Sequence, residues 1–389
     1  MKTITPNTLL RTSVALALLG SVSVASADML AGTDVKFSGY IKADAMFSDY
    51  SEGTLASGNI GRDFYIPSLT PVSGGDEGNQ FDSHIRQSRF RFTTTTDAGD
   101  GDTITGVLEF DFMATAGGNE RVSNSYSPRI RHAFLKYKNW TVGQTWSTFQ
   151  DVRTLPETLD FIGTADGVVF NRQTMVKYTN GAWEVALENP ESTITPFGGG
   201  GRIVADDNSG PDVVARYTHK ADWGHFSVAG IARQLAYDDG AGIDSTEAAY
   251  GVSLNSKISV GAKDDLKISL TTGSGLGRYV AINAANGAVL DAQGVLNAID
   301  STAFSIAYRH FWSDQIRSSF TYSSFSADND VDLTGTGVTR ESSSYRANLL
   351  YSPTPKLTVG GEVAFAERTN EGDMTGDMTR FQFSAKYSF

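Results

Sequence analysis

The sequence contains no cysteine among its 389 residues. Disulfide bonds, cysteine metal sites and thiol catalysis are therefore excluded. Proline is scarce as well, at 10 residues, whereas glycine reaches 40 residues and aromatic side chains reach 11%. This composition favours β structure over a helical protein.

Beyond its first 27 residues, the chain also lacks any apolar run that approaches the ~18–20 residues of a membrane-spanning helix. Residues 1–27 have the pattern of a secretory signal peptide: Lys2 and Arg11 are basic, Val14 to Val24 are mainly apolar, and Ala25-Ser26-Ala27 is a small-residue cleavage site. The sequence therefore predicts an exported chain with a mature domain at residues 28–389. Such a chain is either soluble or a membrane β-barrel.

Positive charge is in deficit. Lys and Arg number 32 against 44 Asp and Glu, for a net charge of −12, and loss of Lys2 and Arg11 with the signal peptide changes this to −14. A chain this acidic is not expected to bind nucleic acid through the phosphate backbone.

The dominant pattern in residues 28–389 is alternation of apolar and polar side chains. In the first segment, Phe37 and Ile41 alternate with Lys36, Ser38 and Lys42, which is typical of a strand with one face in lipid and one in water. Sixteen such segments are predicted, near residues 34–48, 81–96, 103–115, 127–138, 139–147, 168–179, 181–189, 211–219, 223–236, 247–258, 264–273, 301–311, 313–325, 340–352, 355–368 and 377–389. An even number is what a closed antiparallel barrel requires.

The connections between these segments alternate between short and long. Lys138-Asn139 and Asn180-Gly181 are short, whereas Thr148–Gly167, Pro190–Gly210 and Leu276–Ile299 are long and polar. Short periplasmic turns and long extracellular loops distinguish a barrel from a sandwich. The predicted fold is all-β, a 16-stranded antiparallel transmembrane barrel in the outer membrane of a Gram-negative bacterium, in contact with the lipid bilayer and lipopolysaccharide.

Strand alternation also predicts which side chains face the lumen. The inward arginines are Arg89, Arg91, Arg216, Arg233, Arg309, Arg317, Arg346 and Arg380. A charge facing hydrocarbon at mid-membrane costs ~2–4 kcal/mol, which agrees with this placement. Arg86 and Arg131 share the parity of apolar residues, so they are expected at a strand end or at a subunit interface, unless the predicted alternation does not hold at these positions.

The loop Thr148–Gly167 follows the fifth predicted strand. It resembles the third extracellular loop of general trimeric porins, which folds into the barrel and narrows it. The resemblance implies a constriction with Asp151, Arg153, Glu157, Asp160 and Asp166 on this loop. Acids on the loop facing arginines on the wall would create a transverse field that orients solutes.

Five blocks in the first half resemble the DcaP-type porins: FDSHIRQSRFRF (81–92), SPRIRHAFLKY (127–137), VGQTWSTFQD (142–151), LPETLDFIG (155–163) and ALENPES (186–192). The resemblance implies a homotrimeric channel for small anionic solutes such as dicarboxylates. It implies pore arginines at Arg86, Arg89, Arg91, Arg129, Arg131 and Arg172. The helical coiled coil that can precede such barrels is not expected here.

The C-terminal Phe389 resembles the terminal signal of bacterial outer-membrane barrels and implies recognition by the barrel-assembly machinery. No catalytic activity, cofactor or metal is expected, because the five histidines lack metal-ligand spacing and no nucleophile motif stands beside them. The alternative to a diffusion channel is an adhesin or receptor barrel that acts through its long loops.

Overall fold

The computed structural model describes residues 32–75, 78–114, 118–119 and 123–389, so the expected signal peptide lies outside the described residues. Seventeen strand segments form the main sheet: β1 (Thr33–Tyr50), β2 (Gln80–His84), β3 (Arg89–Gly99), β4 (Asp102–Asp111), β7 (Arg129–Tyr137), β8 (Trp140–Trp146), β9 (Arg172–Asn180), β10 (Trp183–Glu188), β13 (Asp212–Ala221), β14 (Gly224–Asp238), β15 (Asp244–Val260), β16 (Asp264–Ser274), β19 (Asp300–Phe311), β20 (Ile316–Asp328), β21 (Thr339–Thr354), β22 (Leu357–Asn370) and β23 (Thr375–Ser388). Six short strands lie in the long connections: β5 (Gly118–Asn119), β6 (Ser125–Tyr126), β11 (Ser192–Thr195), β12 (Ile203–Ala205), β17 (Ala288–Leu290) and β18 (Leu296–Ala298).

The helical elements are single turns, at Ile60–Asp63, Pro67–Leu69, Val152–Thr154, Gly277–Tyr279 and Val331–Thr334. No helix in the described part of the chain is long and apolar enough to cross a membrane.

The main sheet closes on itself. Strand β1 pairs antiparallel with β23 from Tyr40↔Ser388 to Tyr50↔Met378, and its other edge pairs with β2 and β3. Because β2 and β3 are two parts of one interrupted strand, the wall has sixteen strands, as predicted. Closure pairs the backbone groups of both edges, which is what a barrel needs in lipid.

Alternation along the strands follows the predicted faces. In β1, Ile41 and Phe47 are 50% and 44% exposed on the outside, whereas Lys42 and Asp44 are buried inside. The outer face is therefore apolar, and the inner face carries polar groups that hydrogen-bond to one another and to loops.

Two irregularities explain the arginines that broke the predicted alternation. In β7, Ile130 pairs with Phe110 and His132 pairs with Glu109, so Arg131 is the extra residue of a β-bulge. A bulge re-aims side chains, and Arg131 consequently points inward, 2% exposed. Arg86 lies in the break between β2 and β3, outside any strand.

Two long connections are more ordered than predicted. Residues 190–210 and 276–299, expected to be polar loops, contain β11, β12, β17 and β18, which form a small sheet in the order β12-β11-β17-β18 with a parallel β11–β17 pair. Ile194, Leu290 and Leu296 are buried between it and the wall. Strands of three or four residues are too short to show a periodic pattern in the sequence.

Candidate functional site: the constriction

The loop after β8 folds into the lumen, as predicted. We call residues 147–171 the constriction loop. Its tip reaches the far wall, where the Leu159 carbonyl accepts hydrogen bonds from Lys42 Nζ (2.5 Å), Gln382 Nε2 (3.0 Å) and Gln87 Nε2 (3.3 Å). The Glu362 carboxylate accepts from the Leu159 backbone N–H at 2.8 Å. The three donors lie on β1, β23 and the break after β2, and the Glu362 acceptor lies on β22, so the loop crosses the barrel.

Glu157 anchors the loop to the wall behind it. Its carboxylate accepts hydrogen bonds from Arg317 Nε at 2.8 Å and from Arg309 Nη1 at 3.2 Å. Burial alone would raise the pKa of Glu157, but the hydrogen bonds and charges of Arg317 and Arg309 outweigh it and hold this pKa below its usual value. The carboxylate is therefore ionised throughout the neutral range.

The other acids of the loop are anchors as well. Asp151 pairs with Arg153 within the loop and accepts hydrogen bonds from His225 Nε2 (2.8 Å) and Ser227 Oγ (2.7 Å) on β14. Asp160 accepts from the Tyr65 backbone N–H at 2.9 Å.

Asp166 is completely buried, and four hydroxyl groups surround its carboxylate. It accepts from Tyr65 Oη (2.7 Å), Ser342 Oγ (2.7 Å), Ser323 Oγ (2.9 Å) and Ser344 Oγ (2.5 Å). Its partners lie on β20, β21 and the first long loop, so this carboxylate joins three elements that are distant in sequence.

The geometry changes the interpretation of a transverse field between loop acids and wall arginines. The acids are bound to the wall behind the loop, and the loop presents aromatic rings to the arginines instead. Phe161 lies 5.4 Å from the Arg131 guanidinium and 5.7 Å from that of Arg129, and Phe170 lies 5.5 Å from that of Arg172. Attraction between cations and ring faces can account for this arrangement.

The predicted arginines divide into two groups. The arginines of the first group face inward but bind acids or carbonyls of the wall and the loops; they are Arg216, Arg233, Arg309, Arg317 and Arg346. Arg216 pairs with Glu184, Arg233 pairs with Asp212, and Arg346 donates to the Gly163 carbonyl at 2.7 Å. Arg380 donates to Ser48 Oγ and the Gly61 carbonyl. Arg86 pairs with Asp63 at 3.4 Å and stacks on Tyr126.

The second group forms a continuous cluster, which we call the arginine wall: Arg89, Arg91, Arg129, Arg131 and Arg172. Only two carboxylates pair with these side chains among the described residues. Glu109 lies within 3.7 Å of Arg89, Arg91 and Arg131, and Asp111 binds Arg129 and Arg131 at 2.9 and 2.7 Å.

Arg172 is the exception within this wall, because no carboxylate of the described residues pairs with it. Its guanidinium stacks on Trp146 at 4.3 Å, and its Nη1 atom is buried without a hydrogen-bond partner. A buried cation with an unused donor is costly unless an anion or water satisfies it.

The sequence interpretation missed Trp146, Phe161 and Phe170, whose aromatic side chains gave no sign that they face the lumen. Glu109 and Asp111 fall on the polar face of their strand, but nothing in the sequence showed which arginines they contact. Among the described residues, no group of three or more His, Asp or Glu side chains could hold a metal ion.

Comparison with known families and structures agrees with the barrel fold. A family model described as DcaP outer membrane protein matches residues 20–389. No curated protein matches the sequence.

Among solved structures, the chain is similar to the outer membrane channel DcaP of Acinetobacter baumannii, with a TM-score of 0.77, 22% identity, and coverage of 92% of this chain and 98% of that one. It is also similar to OmpF of Salmonella typhi in complex with daunomycin (TM-score 0.59, 12% identity, 92% and 98% covered). An anion-selective porin from Comamonas acidovorans is more distant in sequence (TM-score 0.56, 11% identity, 92% and 100% covered). At these identities the structures support the barrel fold.

Proposed function

The chain belongs to the DcaP outer membrane protein family, and from this premise we propose that it is a diffusion channel, not an enzyme, for small hydrophilic solutes. The family locates it in the outer membrane of a Gram-negative bacterium. The proposed channel favours anions such as dicarboxylates, and its filter is the constriction that the arginine wall and the aromatic face of the constriction loop form together.

The charge imbalance of the arginine wall is the observation that carries this proposal. Five guanidinium groups face two carboxylates, and Arg172 has none. Lumenal charge of one sign attracts solutes of the opposite sign and repels those of the same sign. The acids of the constriction loop do not cancel this charge, because they are bound to the opposite wall.

Recordings in planar lipid bilayers test the proposal. A bilayer that contains the purified protein should show stepwise conductance. In a salt gradient, its reversal potential should have the sign expected when anions are more permeant than cations. Absence of conductance from correctly folded protein would reject the channel and favour the adhesin or receptor alternative, since the packed loops would then close the lumen. Conductance that prefers cations would reject the role of the arginine wall but would leave the proposed channel function in place.

We further propose that the channel is a homotrimer, because one side of the barrel is too low to span a bilayer by itself. Strands β8 and β10 have 7 and 6 residues, whereas β1 and β15 have 18 and 17. A tilted membrane strand needs about 9–11 residues. The low side exposes Leu135, Val142 and Val185, which supports burial against other copies of the chain.

The remaining contacts stay proposals. The outward aromatic and aliphatic side chains support contact with the bilayer and lipopolysaccharide. Phe389 packs against Phe37 at 5.2 Å on the outer face of the barrel, where the last strand meets the first. This position supports recognition of the C-terminus by the barrel-assembly machinery before closure.

A further inference from the structure

A second loop fills part of the extracellular half of the lumen. We call residues 275–299, between β16 and β19, the support loop. Its side chains Leu276, Tyr279, Val280 and Ala281 are at most 1% exposed. They pack against inward-facing apolar residues of four wall strands, namely Val214, Ala229, Ile231, Ala303, Phe325 and Ala327. Lumen positions of a water-filled barrel are ordinarily polar, so these residues indicate that this part of the barrel is packed and dry.

The support loop contacts the constriction loop directly. Val280 forms an antiparallel β-bridge with Val169, and the Ala281 backbone N–H donates to the Val168 carbonyl at 3.1 Å. Tyr279 meets Phe149 edge to face, with ring centroids 6.0 Å apart. Both legs of the constriction loop therefore rest on the support loop.

A buried hydrogen-bond chain fixes the support loop to the wall. The Tyr279 hydroxyl donates to Asp212 Oδ2 at 2.8 Å and accepts from Gln173 Nε2 at 2.5 Å. Gln173 also donates to Glu188, whose other oxygen accepts from the Thr148 backbone N–H at 2.6 Å. This series of hydrogen bonds thus connects the support loop to the first residues of the constriction loop.

The point of contact is conformationally strained. Ala281, Ile282 and Asn283 have φ angles of 49°, 54° and 60°, three successive non-glycine residues in the left-handed region. This region is uncommon for non-glycine residues and unfavourable for a β-branched side chain such as Ile282. Such strain persists only where surrounding contacts enforce it, and it concentrates at functional sites.

We propose that the support loop is a positioning element that sets the width of the constriction. It presses on the return leg of the constriction loop, residues 162–170, and so holds Phe170 against Trp146 and Arg172 on the opposite side. Weakening the support loop lets the return leg move away from the arginine wall. The constriction then widens, and the electrostatic preference for anions falls. This inference rests on the proposed channel function.

The test combines a weakened support with a reversible tether. Tyr279→Phe with Ile282→Ala removes one hydroxyl and one packed side chain, and neither residue belongs to the arginine wall. Conductance should rise roughly 1.5- to 2-fold and anion preference should fall, because flow through a constriction follows its dimensions. Val295→Ala, at a 49% exposed position of the same loop, is the control and should change neither.

A disulfide then restores the support. Residues directly opposite in antiparallel pairing have Cα atoms about 4.5–5.5 Å apart, within the span of a disulfide. Adding Val169→Cys and Val280→Cys to the weakened variant introduces the only thiols, since the chain has no cysteine. The oxidised form should return to the original conductance and ion preference, and reduction should reverse this. Folding of each variant is checked by heat-dependent migration on gels.

Two results would overturn the inference: folded weakened variants that conduct like the original protein, or a conductance change that the oxidised tether does not correct. Trypsin cleavage after Arg153 supplies a readout that does not require a channel. The weakened variant should be cut faster than the Val295→Ala control, and the oxidised tether should slow it again. Silent bilayers with this cleavage pattern would reject the proposed function but retain the positioning role, whereas equal cleavage rates would reject that role.

Discussion

Replacement of Arg172 by Gln should weaken anion selectivity more than any comparable charge change on the barrel rim. Arg172 carries a full charge that no described carboxylate neutralises, and its guanidinium lies 4.3 Å from the Trp146 ring at the filter. The local count changes from five arginines against two acids to four against two. The glutamine keeps a polar amide at this position, but it is shorter than arginine and carries no charge.

The size of the effect follows from Coulomb's law. A unit charge about 8 Å from the path of a solute contributes about 0.5 kcal/mol at the dielectric constant of water, which changes a local concentration a little over twofold. Anions and cations respond in opposite directions, so the anion-to-cation permeability ratio should fall by roughly fivefold. A screening length of about 10 Å at 0.1 M salt, and about 3 Å at 1 M, should make the effect largest in dilute salt.

The assay is the reversal potential of single channels in potassium chloride gradients, at low and high ionic strength. Arg340→Gln is the matched control, because Arg340 lies on the extracellular rim and already pairs with Asp373. An unchanged permeability ratio in Arg172→Gln at low salt would refute the reasoning, since it would mean that this charge does not face the path. An equal fall in the control would assign the effect to overall charge.

Three other predictions concern the anchors and the assembly. Glu157→Gln removes an ionic anchor of the constriction loop, and we expect noisier and larger single-channel currents. Because the pKa of Glu157 lies below its usual value, the stabilisation that this carboxylate contributes is present above the usual glutamate range and is lost as pH falls through the lowered pKa. The current noise of the original channel should therefore stay constant across the neutral range and increase only when the pH falls below the usual glutamate range. Leu135→Arg on the low side should dissociate the trimer in detergent, as measured by light scattering. Leu349→Arg on the tall side is the control and should leave trimers among the molecules that fold. Intact trimers in both variants would mean that the interface lies elsewhere on the barrel. Deletion of Phe389 should lower the amount of folded barrel in the outer membrane, measured by heat-dependent gel migration, and Ser388→Ala should not. Equal amounts of folded barrel in the two variants would show that the Phe389 ring has no role in assembly.

Much of the filter could not be predicted from the sequence because its residues meet across the barrel. Glu157 was predicted on the constriction loop, and Arg317 was predicted on the inner wall, yet their pairing joins residues 160 positions apart. The sequence interpretation placed them face to face across open water. The structure places them in contact, so their charges cancel locally and do not act on the solute.

The alternation of side chains determined the barrel by itself, because the wall strands are bounded by lipid on one side and, outside the region packed under the support loop, by polar groups on the other. This asymmetry produces the alternation in the strand sequences, which located the sixteen strands and most inward arginines. Tertiary structure alone decided which charges remain unpaired. The bulge that turns Arg131 inward, the acids that bind behind the constriction loop and the support loop that presses on it all depend on contacts between distant segments, which no local pattern encodes.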